Sequence, residues 1–162
     1  MAAERKTIGW REWIRLPELG DTIVKAKVDT GARTSTLHAY DVSEVERDGG
    51  TWIRFSFHPV QRDEEVTVTA EARLVDRRTV TASSGQSELR YVVETEAVID
   101  GVSTAIELTL TRRDAMGFRM LLGRRALRGL FVVDPKRSFR TAESKEVRRR
   151  AKKRRKERSE AE

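Results

Sequence analysis

The stretch Ile23-Val24-Lys25-Ala26-Lys27-Val28-Asp29-Thr30-Gly31-Ala32 decides the fold prediction. Apolar and charged residues alternate as they do in a half-buried β-strand, and the alternation ends at a carboxylate followed by a hydroxyl and a glycine. Gly31 has no Cβ, so two such loops could approach face to face, and its N–H can point at the Asp29 carboxylate. The Thr30 hydroxyl could tie one loop to another. The segment therefore predicts a strand that ends at a chemically active carboxylate.

The chain around this stretch is predicted to be mostly β. Asp48-Gly49-Gly50 and Asp100-Gly101 are typical of hairpin turns, because glycine readily adopts the positive φ that such turns need. Residues 123–130 have the composition of a short helix, which leads into an apolar strand that Pro135 ends. Further predicted strands cover residues 52–57, 66–70, 91–98 and 105–110.

A second element covers residues 120–127. It begins as an apolar strand, which ends in Gly123-Arg124, and it then turns into the predicted helix. An aspartic protease needs two carboxylates close enough to share one proton. The 162-residue chain contains one Asp-Thr-Gly and is too short for two lobes that each carry one. A protease reading therefore predicts a C2 homodimer that supplies two copies of Asp29. The alternative is an Asp-Thr-Gly that only makes a turn after a strand.

The chain resembles the retropepsin-like aspartic proteases. More narrowly, it resembles the bacterial family known as ATP-dependent zinc proteases, which is associated with ribosomal-protein modification by a glutamate ligase. The residues that carry the resemblance are Gly9-Trp10-Arg11-Glu12-Trp13 with Leu16-Pro17, Ala26-Lys27-Val28-Asp29-Thr30-Gly31-Ala32-Arg33-Thr34-Ser35 with Leu37-His38-Ala39, Ser83-Ser84-Gly85 with Glu88-Leu89-Arg90, and Leu121-Leu122-Gly123-Arg124 with Phe131-Val132-Val133-Asp134-Pro135.

The resemblance implies a closed, barrel-like β domain over residues 1–136, with one short helix near its C-terminal end. It also implies a flap hairpin over the substrate. The implied catalytic loop is Asp29, Thr30, Gly31 and Ala32, the implied flap residues are Ser83, Ser84, Gly85 and Arg90, and the supporting residues are His38, Gly123 and Arg124. The chain has no cysteine, no His-Glu-x-x-His pair and no P-loop, so no metal or nucleotide cofactor is predicted.

Two arginines predict the substrate class. Arg33 directly follows the catalytic loop and Arg90 lies on the expected flap, where guanidinium groups would favour acidic side chains. Together with the family resemblance, they indicate a glutamate-rich or glutamylated protein substrate. The alternatives are that both arginines form structural ion pairs and that the flap is a plain surface hairpin.

Most of the net charge of +7 lies in the C-terminal part of the chain. Residues 136–162 contain 13 Lys/Arg and five Glu, a net charge of +8, so the preceding residues carry −1. Residues 137–162 are predicted to form a basic helical or disordered tail, which either contacts the ribosome or RNA or serves as a solubilising terminus. Without cysteines or a long apolar segment, the protein is expected to be soluble, cytoplasmic and free of membrane contact.

These features predict a homodimeric aspartic endopeptidase. Two other functions remain open at the level of the sequence. One is a non-catalytic module that binds acidic peptides on a protease fold, and the other is a ribosome- or RNA-associated protein that acts through its basic tail.

Overall fold

A computed structural model of the chain describes residues 4–59, 66–81, 83–112 and 117–161. Residues 1–3 and 162, which end the two predicted domains, lie outside the described residues, and the division at residue 136 stays a prediction. The strands are β1 (Lys6–Gly9), β2 (Arg11–Leu16), β3 (Thr22–Asp29), β4 (Ser35–His38), β5 (Tyr40–Arg47), β6 (Gly50–Phe57), β7 (Val68–Thr81), β8 (Ser87–Ile99), β9 (Val102–Thr111), β10 (Met120–Gly123) and β11 (Phe131–Asp134), and the helices are α1 (Arg124–Leu127) and α2 (Ala142–Ala161).

Six strands close into a barrel in the order β2-β3-β10-β4-β9-β8, and the pairing of Arg15 with Val98 joins β8 back to β2. Beyond β8, the strands β7, β6 and β5 continue the sheet as an antiparallel meander. Closure gives each barrel strand two neighbours, so their backbone N–H and C=O groups find partners. The predicted mostly β, barrel-like fold is confirmed.

The alternation read from the sequence determines which side chains of β3 face the barrel interior. Val24, Ala26 and Val28 are buried, while Lys25 and Lys27 between them are partly exposed. The interior is filled by apolar side chains from the neighbouring strands, including the fully buried Ile14, Leu16, Leu37, Leu108, Met120 and Leu122. This close packing fixes the position of β3 in the barrel, and with it the position of Asp29 at the end of the strand.

The predicted hairpin turns are present. Asp48 and Gly49 join β5 to β6 with φ of 50° and 77°, and Asp100 and Gly101 join β8 to β9 with φ of 49° and 75°. Positive φ at two consecutive residues gives the turn a twist that matches the twist of the flanking strands.

A separate two-stranded sheet is formed by β1, which precedes the barrel strands in the chain, and β11, which follows them. β1 and β11 pair in parallel, with Lys6 opposite Phe131 and Gly9 opposite Asp134. Ile8 and Phe131 are buried beneath this sheet, whereas Val132 is 48% exposed. Within the described residues, each of the two strands therefore keeps one open edge.

Polar contacts dock the first turn of α2 onto the barrel. Glu12 is fully buried and accepts hydrogen bonds from the N–H groups of Gly9, Arg140 and Thr141 at 2.6, 3.0 and 3.0 Å. The Ser144 hydroxyl also donates to Glu12, at 2.9 Å. One carboxylate thus joins three segments of the chain.

Two further carboxylates hold the same turn. Glu143 accepts hydrogen bonds from the N–H groups of Asp100 and Gly101 in the β8–β9 turn. Burial raises the pKa of the Glu143 carboxyl, and these hydrogen bonds act in the opposite direction. Glu146 forms an ion pair with Arg15 at 2.5 Å. The root of the helix is therefore fixed, while every described residue from 148 onward is exposed.

The substitution Glu12→Gln is expected to lower the free energy of unfolding by about 2–3 kcal/mol, because an amide group would place N–H donors against N–H donors in a buried position. Urea unfolding followed by circular dichroism measures the change. The matched control is Glu18→Gln, at an exposed carboxylate, which should leave the unfolding midpoint in place. Equal midpoints for Glu12→Gln and the unmodified chain would contradict this role of Glu12.

Candidate active site

The candidate catalytic carboxylate lies at the C-terminal end of β3. β3 pairs in parallel with β10, and this register sets Asp29 opposite Gly123. The Gly31 N–H donates to Asp29 Oδ1 at 2.9 Å, and the Ala32 N–H donates to the Asp29 carbonyl at 3.2 Å. Asp29 is partly buried, whereas Thr30 and Gly31 are exposed. The loop thus orients one oxygen of the Asp29 carboxylate, and the carboxylate stays partly exposed.

The start of α1 holds the loop through three hydrogen bonds. The backbone N–H groups of Arg124 and Arg125 donate to the carbonyls of Ala32 and Arg33 at 2.8 and 3.2 Å. The Arg124 guanidinium donates to the Gly31 carbonyl at 3.0 Å. Arg124 therefore contacts the loop through both its backbone and its side chain, and its predicted supporting role stays a prediction.

Gly123 allows this close approach. A Cβ at this position would lie 2.5 Å from the Thr34 carbonyl oxygen and 3.0 Å from the Ala32 carbonyl oxygen. The Gly123 N–H donates to the buried Ser35 hydroxyl at 3.0 Å. A residue with any side chain at position 123 would push the loop away from β10.

A cavity of about 640 Å³ opens beside the loop. Thr30 lines it together with Leu127, Gly129, Phe131 and Val133, and five arginines surround it: Arg5, Arg33, Arg124, Arg125 and Arg128. No acidic side chain lines this cavity among the described residues. The open face of the candidate active site is therefore strongly cationic.

The predicted flap is the tip of the long β7–β8 hairpin. Ser83, Ser84 and Gly85 are exposed at this tip, with φ of 87° at Gly85. Arg90 lies further along β8, where its guanidinium is 3.5 Å from the Glu88 carboxylate. It lines a different cavity, of about 580 Å³, together with Ala39, Leu110 and Thr111. The structure therefore does not bring Arg90 and Arg33 into one cavity, and in the described chain no hydrogen bond joins the tip to the loop. Their roles in substrate binding stay predictions.

His38 lies on β4, and its backbone N–H donates to the Arg119 carbonyl at 2.8 Å. The Arg119 guanidinium lies 3.4 Å from His38 Nδ1. Because β4 pairs with both β9 and β10, these contacts tie the histidine to the barrel wall that carries Gly123. The supporting role of His38 stays a prediction.

Comparison with known families decides the assignment. The model of the RimB-like family, described as the retropepsin-like aspartic endopeptidase RimB, matches residues 7–144. The chain belongs to this family. The RimB-like match confirms the retropepsin-like resemblance read from the residues, but it does not support the name ATP-dependent zinc protease. Among the described residues, no group of three His, Asp or Glu side chains could hold a metal ion.

Curated RimB-like relatives carry a different name. The chain is 43% identical over 139 residues to a probable alpha-L-glutamate ligase of Shewanella pealeana, covering 86% of this chain and 30% of that protein. It is 47% identical over 131 residues to a protein of the same name from Parasynechococcus marenigrum, covering 81% of this chain and 28% of that protein. The chain thus spans less than a third of the length of these relatives.

A crystal structure of a Legionella pneumophila protein of unknown function is similar to this chain with a TM-score of 0.69 and 26% identity. The similarity covers 85% of this chain and 98% of that protein. The solved chain therefore consists almost entirely of the region that is similar to this one. No helix of the described chain is both long and apolar enough to cross a membrane.

Several residues around the loop were not singled out from the sequence. Ser35, which holds the Gly123 N–H, follows the loop and occupies a buried strand position. Arg125 in α1 and Arg128 directly after it extend the basic character of this segment, which the three arginines within residues 124–128 could have indicated. Arg5 carried no such signal, because only the pairing of β1 with β11 brings it to the cavity.

The substitution Gly123→Ala is expected to lower the free energy of unfolding by about 1–3 kcal/mol, because the added Cβ meets backbone atoms that cannot rotate away. Gly50→Ala is the matched control, since a Cβ there would lie 3.8 Å from its nearest neighbour, the Arg47 carbonyl oxygen. Chemical unfolding of the three proteins measures both changes. If both variants unfolded at the midpoint of the unmodified chain, the contact between β10 and the loop would be looser than described.

Proposed function

We propose that this chain is one protomer of a homodimeric aspartic peptidase that hydrolyses peptide bonds in glutamate-rich or glutamylated proteins. The observation that carries the proposal is the Asp29 carboxylate, which is held by the Gly31 N–H in a loop that Gly123 and Arg124 brace. This arrangement fixes the carboxylate while leaving its outer face open for a second copy. Membership of the RimB-like family supports the same chemistry.

In the proposed reaction, two Asp29 carboxyl groups share one proton, because two carboxylates a few ångströms apart do not both ionise. The ionised Asp29 takes a proton from a water molecule, whose oxygen attacks the carbonyl carbon of the peptide bond. The protonated Asp29 of the partner subunit donates to the carbonyl oxygen. Breakdown of the tetrahedral intermediate returns a proton to the amine nitrogen, and the C–N bond breaks.

Three features support assembly by two copies. The chain holds one Asp-Thr-Gly, so one copy supplies one carboxylate. The Thr30 side chain is exposed and makes no hydrogen bond within the described residues, which leaves its hydroxyl for a partner loop. The sheet of β1 and β11 has open edges and an exposed Val132, to which strands of a second copy could add.

The substrate class is supported by charge. Arg33 and Arg128 are exposed beside the loop, and Arg124 and Arg125 line the same cavity. Guanidinium groups bind carboxylates through paired hydrogen bonds, so this cavity suits a chain of glutamates. Relatives named probable alpha-L-glutamate ligase contain a region similar to this chain, which supports a substrate that carries added glutamate.

The substitution Asp29→Asn is expected to reduce kcat by about 10³-fold or more, because an amide can neither take the proton from water nor share one with its partner. Mass spectrometry of fragments released from a glutamate-tailed protein measures the rate. Asp48→Asn is the matched control. Its carboxylate lies in the β5–β6 turn with a side chain that is 88% exposed, and asparagine tolerates the positive φ there.

Cleavage by Asp29→Asn at the unmodified rate would contradict the mechanism. If the unmodified protein bound the glutamate tail without turnover, and Asp29→Asn bound it equally well, the chain would instead be a binding module for acidic peptides on a protease fold.

A second candidate function, contact with the ribosome or RNA, is favoured by α2. Nine Lys and Arg side chains lie on the exposed part of this helix between residues 148 and 158, with one Glu among them. No aromatic side chain is interleaved, so the helix suits phosphate groups rather than bases. Because the first turn is anchored to the barrel, the arm is presented from a fixed root.

A chain that ends at Glu146 is expected to keep its unfolding midpoint, because the contacts of Thr141, Glu143, Ser144 and Glu146 remain. Its affinity for an RNA duplex should fall by at least about tenfold, with a shallower dependence on salt, since fewer phosphates are neutralised. A chain that ends at Ser159 keeps all the basic residues and serves as the control. Equal RNA affinity of both truncated chains would exclude α2 as the contact surface.

A further inference from the structure

The arginines beside the catalytic loop differ from the described arginines of strands β5 to β8. Arg47 and Arg54 share Glu71, Arg73 pairs with Glu94, Arg77 with Glu44, and Arg78 with Asp76. In the described residues, none of the five arginines that line the loop cavity forms an ion pair with a carboxylate. We refer to Arg5, Arg33, Arg124, Arg125 and Arg128 as the arginine cluster. Among the residues that the structure describes, no carboxylate pairs with this charge.

The arginine cluster lies where a second copy must approach. Thr30 lines the same cavity, and the Arg124 guanidinium contacts the Gly31 carbonyl directly. Two Asp29 carboxylates can share a proton only when the two loops meet, which brings two arginine clusters together as well. Exposed charges repel each other over distances up to the Debye length, about 8 Å at physiological ionic strength. Like charges across an interface oppose association.

We propose that the two copies assemble the active site around their substrate, because a glutamate chain that spans both arginine clusters removes the repulsion between them. This inference rests on the proposed peptidase function and adds its regulation. Without substrate, the chain is mostly monomeric and its single Asp29 lacks a partner. With substrate, carboxylates bind guanidinium groups of both copies, and the dyad forms where the glutamate chain already lies. Proteins without a run of acidic residues then do not assemble the enzyme that would cleave them.

Sedimentation velocity of the full-length Asp29→Asn protein tests the proposal, because this variant can hold a glutamate chain without cutting it. Poly-L-glutamate is expected to lower the apparent dimer dissociation constant by at least about tenfold. Sodium sulfate at the same ionic strength is the comparison and should leave the protein monomeric. The same shift with sulfate would overturn the role of a bridging carboxylate chain.

Neutralising part of the arginine cluster is expected to favour the dimer even without a polyanion. In the Asp29→Asn background, the double substitution Arg33→Gln with Arg128→Gln should raise the dimer fraction in the absence of any polyanion and remove most of the response to poly-L-glutamate. Both side chains are exposed and neither forms a hydrogen bond within the described residues, so the fold should tolerate the change. Arg148→Gln with Arg149→Gln removes the same charge from α2 and should behave as the parent.

A dimer fraction that stays unchanged in the Arg33→Gln, Arg128→Gln protein would overturn the proposal. So would a parent protein that is fully dimeric without polyanion, since acidic residues of the second copy would then neutralise the arginine cluster. Either result leaves the peptidase function intact if Asp29 still cleaves. Conversely, assembly on poly-L-glutamate without cleavage by the unmodified chain would support the assembly step and contradict the peptidase.

Discussion

The parallel pairing of β3 with β10 is the constraint on which the candidate active site depends. This register places Gly123 opposite Asp29, and the missing side chain lets the backbone of β10 come within contact of residues 32–34. The last residue of β10 is followed directly by α1, so the helix begins where the loop needs hydrogen-bond donors. The loop that follows Asp29 is thus held by backbone N–H groups and the Arg124 guanidinium of a segment about ninety residues away. A carboxylate fixed in this way keeps its direction without a bulky neighbour, which leaves its outer face open for a second copy.

The same constraint explains why the site is cationic. Because α1 starts at Arg124, directly after Gly123, its arginines lie beside the loop that its first residues contact. The Arg124 guanidinium donates one hydrogen bond to the Gly31 carbonyl, and Arg125 and Arg128 line the adjoining cavity. A residue that only stabilised the loop would not need further positive charge around it. Under the proposed function, this excess charge would bind the carboxylates of an acidic substrate. By contrast, Arg54, Arg73 and Arg77 elsewhere on the sheet each pair with a carboxylate of another strand.

Local patterns predicted the elements well. The alternation from Ile23 to Val28 fixed the inward face of β3, and the Asp100-Gly101 pair marked a hairpin turn that is present. Sequence could not predict contacts between distant segments that carry no periodic signal. Glu12 occupies an inward position of β2 and looks like an error in the pattern until the N–H groups of Arg140 and Thr141 reach it. The sequence likewise does not indicate that Arg33 and Arg90 line two different cavities.

The buried Glu12 also determines how the basic helix relates to the active site. Glu12 belongs to β2, and β2 pairs along its whole length with β3, the strand that ends at Asp29. The root of α2 is therefore attached to the neighbour of β3 through short hydrogen bonds rather than through a linker. A disordered basic tail could only raise the local concentration of an anionic partner. A helix held at its first turn instead presents its charge in one direction from the barrel, so an anionic partner bound along it has a defined position relative to Asp29.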